Sequence, residues 1–421
     1  MMKYNFKKNF LIDNVKIGVD APTFFISEIG SNFDGNIERA KDLILLSKKV
    51  GANAVKFQHY TASSLVSDPG FKSLGGSLTH QKDWKESVFD TYKKASLNSS
   101  WTEELAQFSK KNKIVFFTSP YSESLVDIVN DYVPAYKIGS GDISNIKLIE
   151  KIAKLEKPIL LATGASTFFE VKQAVDVIHK YNDKLVLMQC NTNYTSVKSN
   201  YKNINLKVLE TYKNNFQGVV LGLSDHTFDE VSTLGAIALG AKVIEKHFTD
   251  SNERAGPDHP FSLNPKTWPE MIKKARLLEQ SLGDGNKKIE PNEKDAYTVQ
   301  RRSICASRFI PKGKIIEKED LTFLRPLPSN SFHPYEIDKL VGKTLNKDII
   351  DFIVDDNPLK QNTFTPGLHV PVLSSDALEY QKPDYLLILA WNFADSIIEK
   401  NKDYLNSGGH FIIPLPEIKI I

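Results

Sequence analysis

Between about Thr23 and Leu282, short runs rich in β-branched and aromatic residues alternate with longer stretches whose apolar residues recur at helical spacing. The short runs predict strands over 24–30, 54–58, 115–120, 135–140, 158–164, 185–191, 219–226 and 242–249. Several are apolar almost throughout, as expected of parallel strands buried on both faces. The stretches between them predict helices. Residues 37–50 bring Ala40, Leu43, Ile44 and Val50 to one face, and 145–155 and 168–181 repeat the pattern. Eight strands with helical crossovers predict an α/β fold, a (β/α)8 TIM barrel; a doubly wound open sheet is the alternative. The barrel is preferred because polar residues crowd the C-terminal end of nearly every strand.

The pattern stops at Gly283-Asp284-Gly285-Asn286, so residues 1–285 are the expected barrel domain. Residues 286–300 are charged, carry Pro291 and read as a linker. Residues 301–350, with turn signals at Pro311-Lys312-Gly313 and over 326–331, predict a second, small domain. The tail, 351–421, opens on an extended Pro/Thr-rich stretch. It then predicts a strand over 385–390, a helix over 393–404, a Gly408-Gly409 turn and a strand over 411–415, one βαβ unit. One such unit cannot bury a core alone, so it is expected to dock on the body or on a neighbouring subunit. The segment 63–100, between the second and third strands, is long for a connection and carries Gly70, Gly75, Gly76 and Trp84. It predicts a lid or substrate-contacting insertion, with a plain barrel decoration as the alternative.

Charge narrows the function. Across 421 residues, 54 Lys+Arg against 51 Asp+Glu leave +3, without the basic excess of a nucleic-acid binder. A hydrophobic share of 41% excludes a disordered chain. Two cysteines, Cys190 and Cys305, exclude a disulfide scaffold or a Cys-rich metal cluster. The first ten residues lack the apolar stretch of a secretory signal, and no apolar run approaches the roughly 18 residues that span a bilayer. The expected compartment is the cytoplasm, with no membrane partner.

In a barrel, polar side chains at the C-terminal strand ends converge on one site. Here they include Glu28, Lys56, Gln58, Ser119, Lys137, Ser140, Asp142, Tyr194, Ser224, Asp225, His226, Glu245 and His247, with Asp258 just beyond. Lys56 and Lys137 lie inside apolar strands, where a lysine needs an anionic partner. With Ser119, Ser140 and Ser224 they predict a phosphate cradle; the alternative is that each pairs with Glu28 or Glu245. His226 and His247 end adjacent strands, close enough to share a divalent ion whose shell carboxylates and water would complete. Cys190, inside an apolar strand, reads as packing. A cradle and a metal on one rim point to a phosphorylated substrate and a polarised carbonyl, hence to carbon–carbon bond chemistry.

The runs Ser27-Glu28-Ile29-Gly30, Val55-Lys56-Phe57-Gln58, Tyr136-Lys137-Ile138-Gly139-Ser140-Gly141-Asp142, Gly222-Leu223-Ser224-Asp225-His226-Thr227 and Glu245-Lys246-His247-Phe248-Thr249-Asp250 resemble the sialic acid synthase family. So do Gly256-Pro257-Asp258 and Arg301-Arg302-Ser303, and the resemblance covers roughly 10–350. It implies condensation of phosphoenolpyruvate with an N-acetylmannosamine-type aldose, giving a nine-carbon 2-keto sugar acid and phosphate. A diacetamido-trideoxy hexose, leading to pseudaminic or legionaminic acid, is the alternative, and a non-catalytic scaffold the rival from another class. The resemblance also implies a TIM barrel followed by a small antifreeze-protein-like (SAF) domain that crosses to the partner in a domain-swapped homodimer, bringing Arg325 to the neighbour's sugar. By it, Lys56, Ser119, Lys137, Ser140 and Ser224 hold phosphoenolpyruvate. His226 and His247 hold Mn2+, with Mg2+ or Co2+ as alternatives. Gln58 faces the sugar, and Glu28, Asp142, Tyr194, Asp258 and Arg325 form the reacting end; Asp142 stands where some members carry Glu. The tail runs Asn357-Pro358-Leu359-Lys360-Gln361, Thr365-Pro366-Gly367-Leu368-His369-Val370-Pro371 and Ala390-Trp391-Asn392-Phe393-Ala394 resemble the end of sugar C-methyltransferases. Without a methyl-donor domain, no methyl transfer is implied.

Overall fold

The computed structural model describes residues 4–74, 81, 84, 86–194, 197–345, 350–365, 370–415 and 417–421. The chain divides into two compact units, Met1–Gly285 and Asn286–Ile421.

The first unit opens with a hairpin, β1 (Asn9–Ile12) and β2 (Val15–Gly18). Eight strands follow: β3 (Phe24–Glu28), β4 (Ala54–His59), β5 (Val115–Pro120), β6 (Tyr136–Ile138), β7 (Ile159–Ala162), β8 (Leu185–Cys190), β9 (Val220–Asp225) and β10 (Val243–His247). Each pairs in parallel with the next, and β10 closes on β3, so the sheet is a closed barrel as the pattern predicts. The apolar runs stay continuous because inner faces fill the barrel while outer faces pack under the helices. Phe24, Phe25, Phe57, Phe117 and Trp268 are all fully buried in this one core.

The helices begin where side chains cap them. Asn36 accepts from the backbone N–H groups of Glu38 and Arg39 to start Ile37–Lys49. Asn145 starts Ile146–Ala153, and Thr167 with Glu170 forms a reciprocal capping box on Phe168–Tyr181. One boundary departs in a way that matters: the fourth barrel strand ends at Ile138, and Ser140–Asp142 form a 3₁₀ turn that aims both side chains back over the barrel mouth. The segment expected as an insertion folds into the short helices Ala62–Leu65, Asp68–Ser73 and Val88–Ala95. Its Gly75 and Gly76 lie outside the described residues.

In the second unit the stretch expected as a linker instead carries a helix, Lys294–Gln300. β11 (Ser303–Ala306) and β12 (Leu321–Leu324) pair antiparallel. Nearby, buried Asp320 accepts from Arg308 Nε (2.8 Å), Lys314 Nζ (2.6 Å) and the Glu317 N–H (3.0 Å). Next comes a three-stranded sheet that the sequence pattern missed: β13 (Ile353–Val354), β14 (Thr363–Phe364) and β15 (Pro371–Leu373). The expected βαβ unit follows. β16 (Tyr385–Leu387) runs parallel to β17 (His410–Ile413), and β18 (Lys419–Ile420) adds an antiparallel edge. The helix between them breaks at Asn401 into Ala394–Lys400 and Lys402–Asn406. The tail does bury a small core of its own, around Leu378, Ile388, Tyr404, Phe411 and Ile413. Pro366, Gly367, Leu368 and His369 of the tail motif lie outside the described residues.

Candidate active site

The C-terminal ends of the barrel strands surround a cavity of about 450 Å³. Lys56, Gln58, Ser119, Lys137, Ser140, Asp142, Tyr194, Ser224, His226, His247 and Asp258 all line it, as does Glu245. Eleven of the thirteen residues expected at the site are thus brought together on one wall. Glu28 is the twelfth, fully buried behind Lys56 and Gln58 rather than on the wall itself. Arg325 belongs to the second unit, where it is exposed after β12.

The floor is an ionic lattice. Lys56 is 2% exposed; its ammonium stands 2.6 Å from Glu28 Oε2, 3.8 Å from Glu245 Oε1, and donates to Ser119 Oγ at 3.2 Å. Lys137 donates to Glu245 Oε1 at 2.8 Å and reaches Ser224 Oγ at 3.4 Å. Each lysine thus has the carboxylate partner that stood as the alternative to a phosphate cradle, and each also faces a serine. Gln58 Nε2 donates to Glu28 Oε1 at 2.7 Å. Ser140 Oγ instead accepts from the Gly164 N–H at 2.9 Å, which sets its turn against the loop after β7.

The two glutamates differ. Burial pushes the Glu28 carboxyl up to about 7, against the opposing pull of Lys56. Burial acts on Glu245 too, but Lys137 and Lys56 outweigh it and hold that carboxyl down at about 2. One is ready to exchange a proton near neutral pH; the other is a fixed anion. Burial also raises Asp142.

His226 and His247 stand with ring centroids 5.4 Å apart. The His226 Nδ1–H donates to the Asn191 carbonyl at 2.8 Å, which leaves Nε2 as the lone-pair nitrogen. Burial pushes His247 down to about 3, so its ring is neutral, and its buried Nδ1 has no hydrogen-bond partner among the described residues. Asp258 Oδ2 stands 3.7 Å from that nitrogen and is steadied by the Ser31 N–H (3.1 Å) and hydroxyl (3.0 Å). Gly30 makes room for this contact. Its φ is +53°, and a Cβ there would meet Asp258 Oδ2 at 2.5 Å and His247 Nδ1 at 3.3 Å.

Two imidazoles beside open cavity space, His247 neutral and His226 with its Nδ1–H held by the backbone, fit a divalent ion whose remaining ligands are water and substrate. Of the carboxylates expected to complete its shell, Asp258 stands beside His247 but the other two are engaged elsewhere. Asp225 faces away and pairs with Lys246, Glu245 is taken by the lysines, and among the described residues no group of three or more His, Cys, Asp or Glu could hold a metal.

Position-by-position reading missed Ser31, Tyr60 and Tyr121, and did not place the aromatic wall of Phe71, Trp84 and Tyr92 that the insertion supplies. The signal available was the length and aromatic content of 63–100. Cys190, expected as packing, is buried but lines the cavity, its Sγ 3.8 Å from His226 Nδ1.

The NeuB family model matches residues 43–287, more than half of the chain. The chain belongs to the NeuB family. A SAF domain model matches 301–350, and a C-methyltransferase C-terminal domain model matches 340–416. Among relatives of this NeuB-family chain, N,N'-diacetyllegionaminic acid synthase of Campylobacter jejuni is 35% identical over 77% of this chain and 96% of that protein. Pseudaminic acid synthase of the same species is 33% identical over 78% and 94%. In structure, the chain is similar to N-acetylneuraminic acid (sialic acid) synthetase from Leptospira borgpetersenii, crystallised with citrate. The TM-score is 0.60 and the identity 26%, over 69% of this chain and 96% of that one. No helix among the described residues is long and apolar enough to cross a membrane.

Proposed function

We propose that this NeuB-family chain is a nonulosonic acid synthase, a transferase that condenses phosphoenolpyruvate with an N-acylated amino sugar. The observation that carries the reading is the pair of buried ammonium groups, Lys56 and Lys137, facing Ser119 and Ser224 in one cavity. An anion bearing both phosphate and carboxylate matches such a floor. Its phosphate and carboxylate take hydrogen bonds from the two lysines and from Ser119, Ser140 and Ser224. Gln58, Tyr194 and Asp258 orient the sugar above it, and the aromatic wall of the insertion excludes water.

The methylene carbon of phosphoenolpyruvate forms a bond to the aldehyde carbon while the carbonyl π bond breaks, and the aldehyde oxygen takes a proton to become a hydroxyl. The electron-poor carbon left at the phosphate-bearing position takes water, and the resulting tetrahedral centre releases phosphate by carbon–oxygen cleavage. When the anion draws Lys56 away, the Glu28 carboxyl is freed toward the reacting end. There, raised by burial and no longer held down by Lys56, its carboxylate is the base that receives the proton of the incoming water. Asp142, on the cavity wall, is the second carboxylate able to do so. A divalent ion at His226 and His247, with Mn2+ first and Mg2+ or Co2+ next, supplies polarisation of the sugar carbonyl when bound. In this proposal the protein acts in the cytoplasm as a domain-swapped homodimer in which Arg325 serves the sugar of the neighbouring copy.

Phosphate release from phosphoenolpyruvate with Mn2+ tests the reading, comparing N-acetylmannosamine with diacetamido-trideoxy hexoses of the pseudaminic and legionaminic series. Turnover with one of them establishes both the reaction and the product. Silence with all three, in folded and metal-loaded protein, favours a sugar outside these three or a scaffold.

A further inference from the structure

β9 and β10 are neighbours, and their register sets Lys246 directly opposite Asp225. Side chains alternate along a strand. Ser224, His226, Glu245 and His247 all line the cavity, so Asp225 and Lys246 face the opposite way, into the layer under the helices. A lysine there is out of reach of substrate and out of water, with 1% exposure.

Its partners are unusually complete. The Lys246 ammonium donates to Asp225 Oδ2 (2.8 Å), to the carbonyls of Thr227 (2.7 Å) and Asp229 (2.9 Å), and stands 3.1 Å from Thr227 Oγ1. Asp225 in turn accepts from the Thr227 N–H (2.9 Å) and from the hydroxyls of Ser232 (2.6 Å) and Thr233 (3.2 Å). His226 is the residue between Asp225 and Thr227, and His247 is the residue after Lys246. Both flanks of one histidine are therefore tied to the backbone neighbour of the other.

We infer that Lys246 is a positioning residue that sets the spacing of His226 and His247, and so the affinity of a divalent ion between them. The inference rests on the metal reading proposed above. Without the tie, the turn after β9 is free to shift on its own, and the two rings must be brought together as the ion binds. That ordering cost appears as lost affinity. With it, the 5.4 Å ring spacing is set beforehand.

The test is titration of metal-free, full-length protein with Mn2+, reading free ion by electron paramagnetic resonance. Phosphoenolpyruvate affinity is measured in parallel without metal. Lys246→Met is expected to bind Mn2+ about 10–100-fold more weakly, the range typical of groups that orient metal ligands, with phosphoenolpyruvate affinity unchanged. A purely structural role would move both together or neither. Thr227→Val removes the hydroxyl, with its contacts to Lys246, Ser232 and the Asp229 carbonyl, but keeps the backbone ones, and is expected to lose Mn2+ affinity in the same direction by less; if Lys246→Met does not fold, this variant decides. Wild-type Mn2+ affinity in either folded variant overturns the inference. If His226→Ala binds Mn2+ as the unaltered protein does, the metal reading itself falls and takes the inference with it, whatever Lys246→Met shows.

Discussion

Glu28 and Glu245 show how much a neighbour matters at the scale of one residue. Both are buried carboxyls, yet Glu28 stands near 7 and Glu245 near 2, because Glu245 faces two ammonium groups and Glu28 one. The Glu28 value lies above its ordinary 4.5. The stability its neutral form contributes is therefore full below about 4.5 and is lost as pH rises through about 7. Glu245 has the opposite sign: its contribution is present above about 4.5 and is lost as pH falls toward 2. Urea unfolding across pH should show Glu28→Gln without the loss between 4.5 and 7, and any limb of kcat/KM near pH 7 should vanish in the same variant. Lys137→Met leaves Glu245 buried with the 3.8 Å contact to Lys56 and the Ser224 hydroxyl at 3.3 Å. It is expected to cost about 3–5 kcal/mol of stability in denaturant titration, and adding Glu245→Leu should recover much of it. The sequence makes these lysines conspicuous, because charges inside apolar strands need an account. It does not say that each has a carboxylate partner and a serine at once, since Lys137 meets Glu245 across 108 positions of chain.

Strands and helices were the most legible elements. Period-two and near-continuous apolar runs mark all eight barrel strands, and the capping residues Asn36, Asn145 and Thr167 stand where the helical spacing begins. Thr167→Ala removes the acceptor of the Glu170 N–H and unmakes the capping box. It should lower stability by about 1 kcal/mol with turnover unaffected, read by thermal or chemical unfolding. The two- and three-residue strands β13, β14 and β15 escaped prediction. Two or three residues carry too little periodicity to stand out, and pairing rather than propensity holds them. The helix within 286–300 went unpredicted for another reason. The charges of that stretch suit an exposed helix as well as a linker, and Pro291 starts a 3₁₀ turn that leads into that helix rather than ending one.

At the scale of the whole molecule, the proposed dimer makes a sharp prediction. Arg325→Ala and His226→Ala should each abolish turnover alone. Co-expressed, they should restore about a quarter of it, because half the dimers are mixed and each mixed dimer has one complete site of two. No restoration would mean that Arg325 serves its own barrel or none. Deleting residues 356–421 should weaken dimerisation or turnover if the tail docks within the enzyme; unchanged behaviour would assign its small core to a separate task. The order of apolar and polar positions by itself determined the barrel and most of the set of side chains at the strand ends, because these follow from local periodicity and from closure of a parallel sheet. Only the tertiary structure decided which of those side chains share a contact. It placed Glu28 behind the wall, turned Asp225 away from the histidines toward Lys246, and set Asp258 beside His247 over Gly30. Those outcomes depend on strand register, on the hand of a single turn and on charges meeting across the barrel, and none of these is written in the neighbourhood of any one residue.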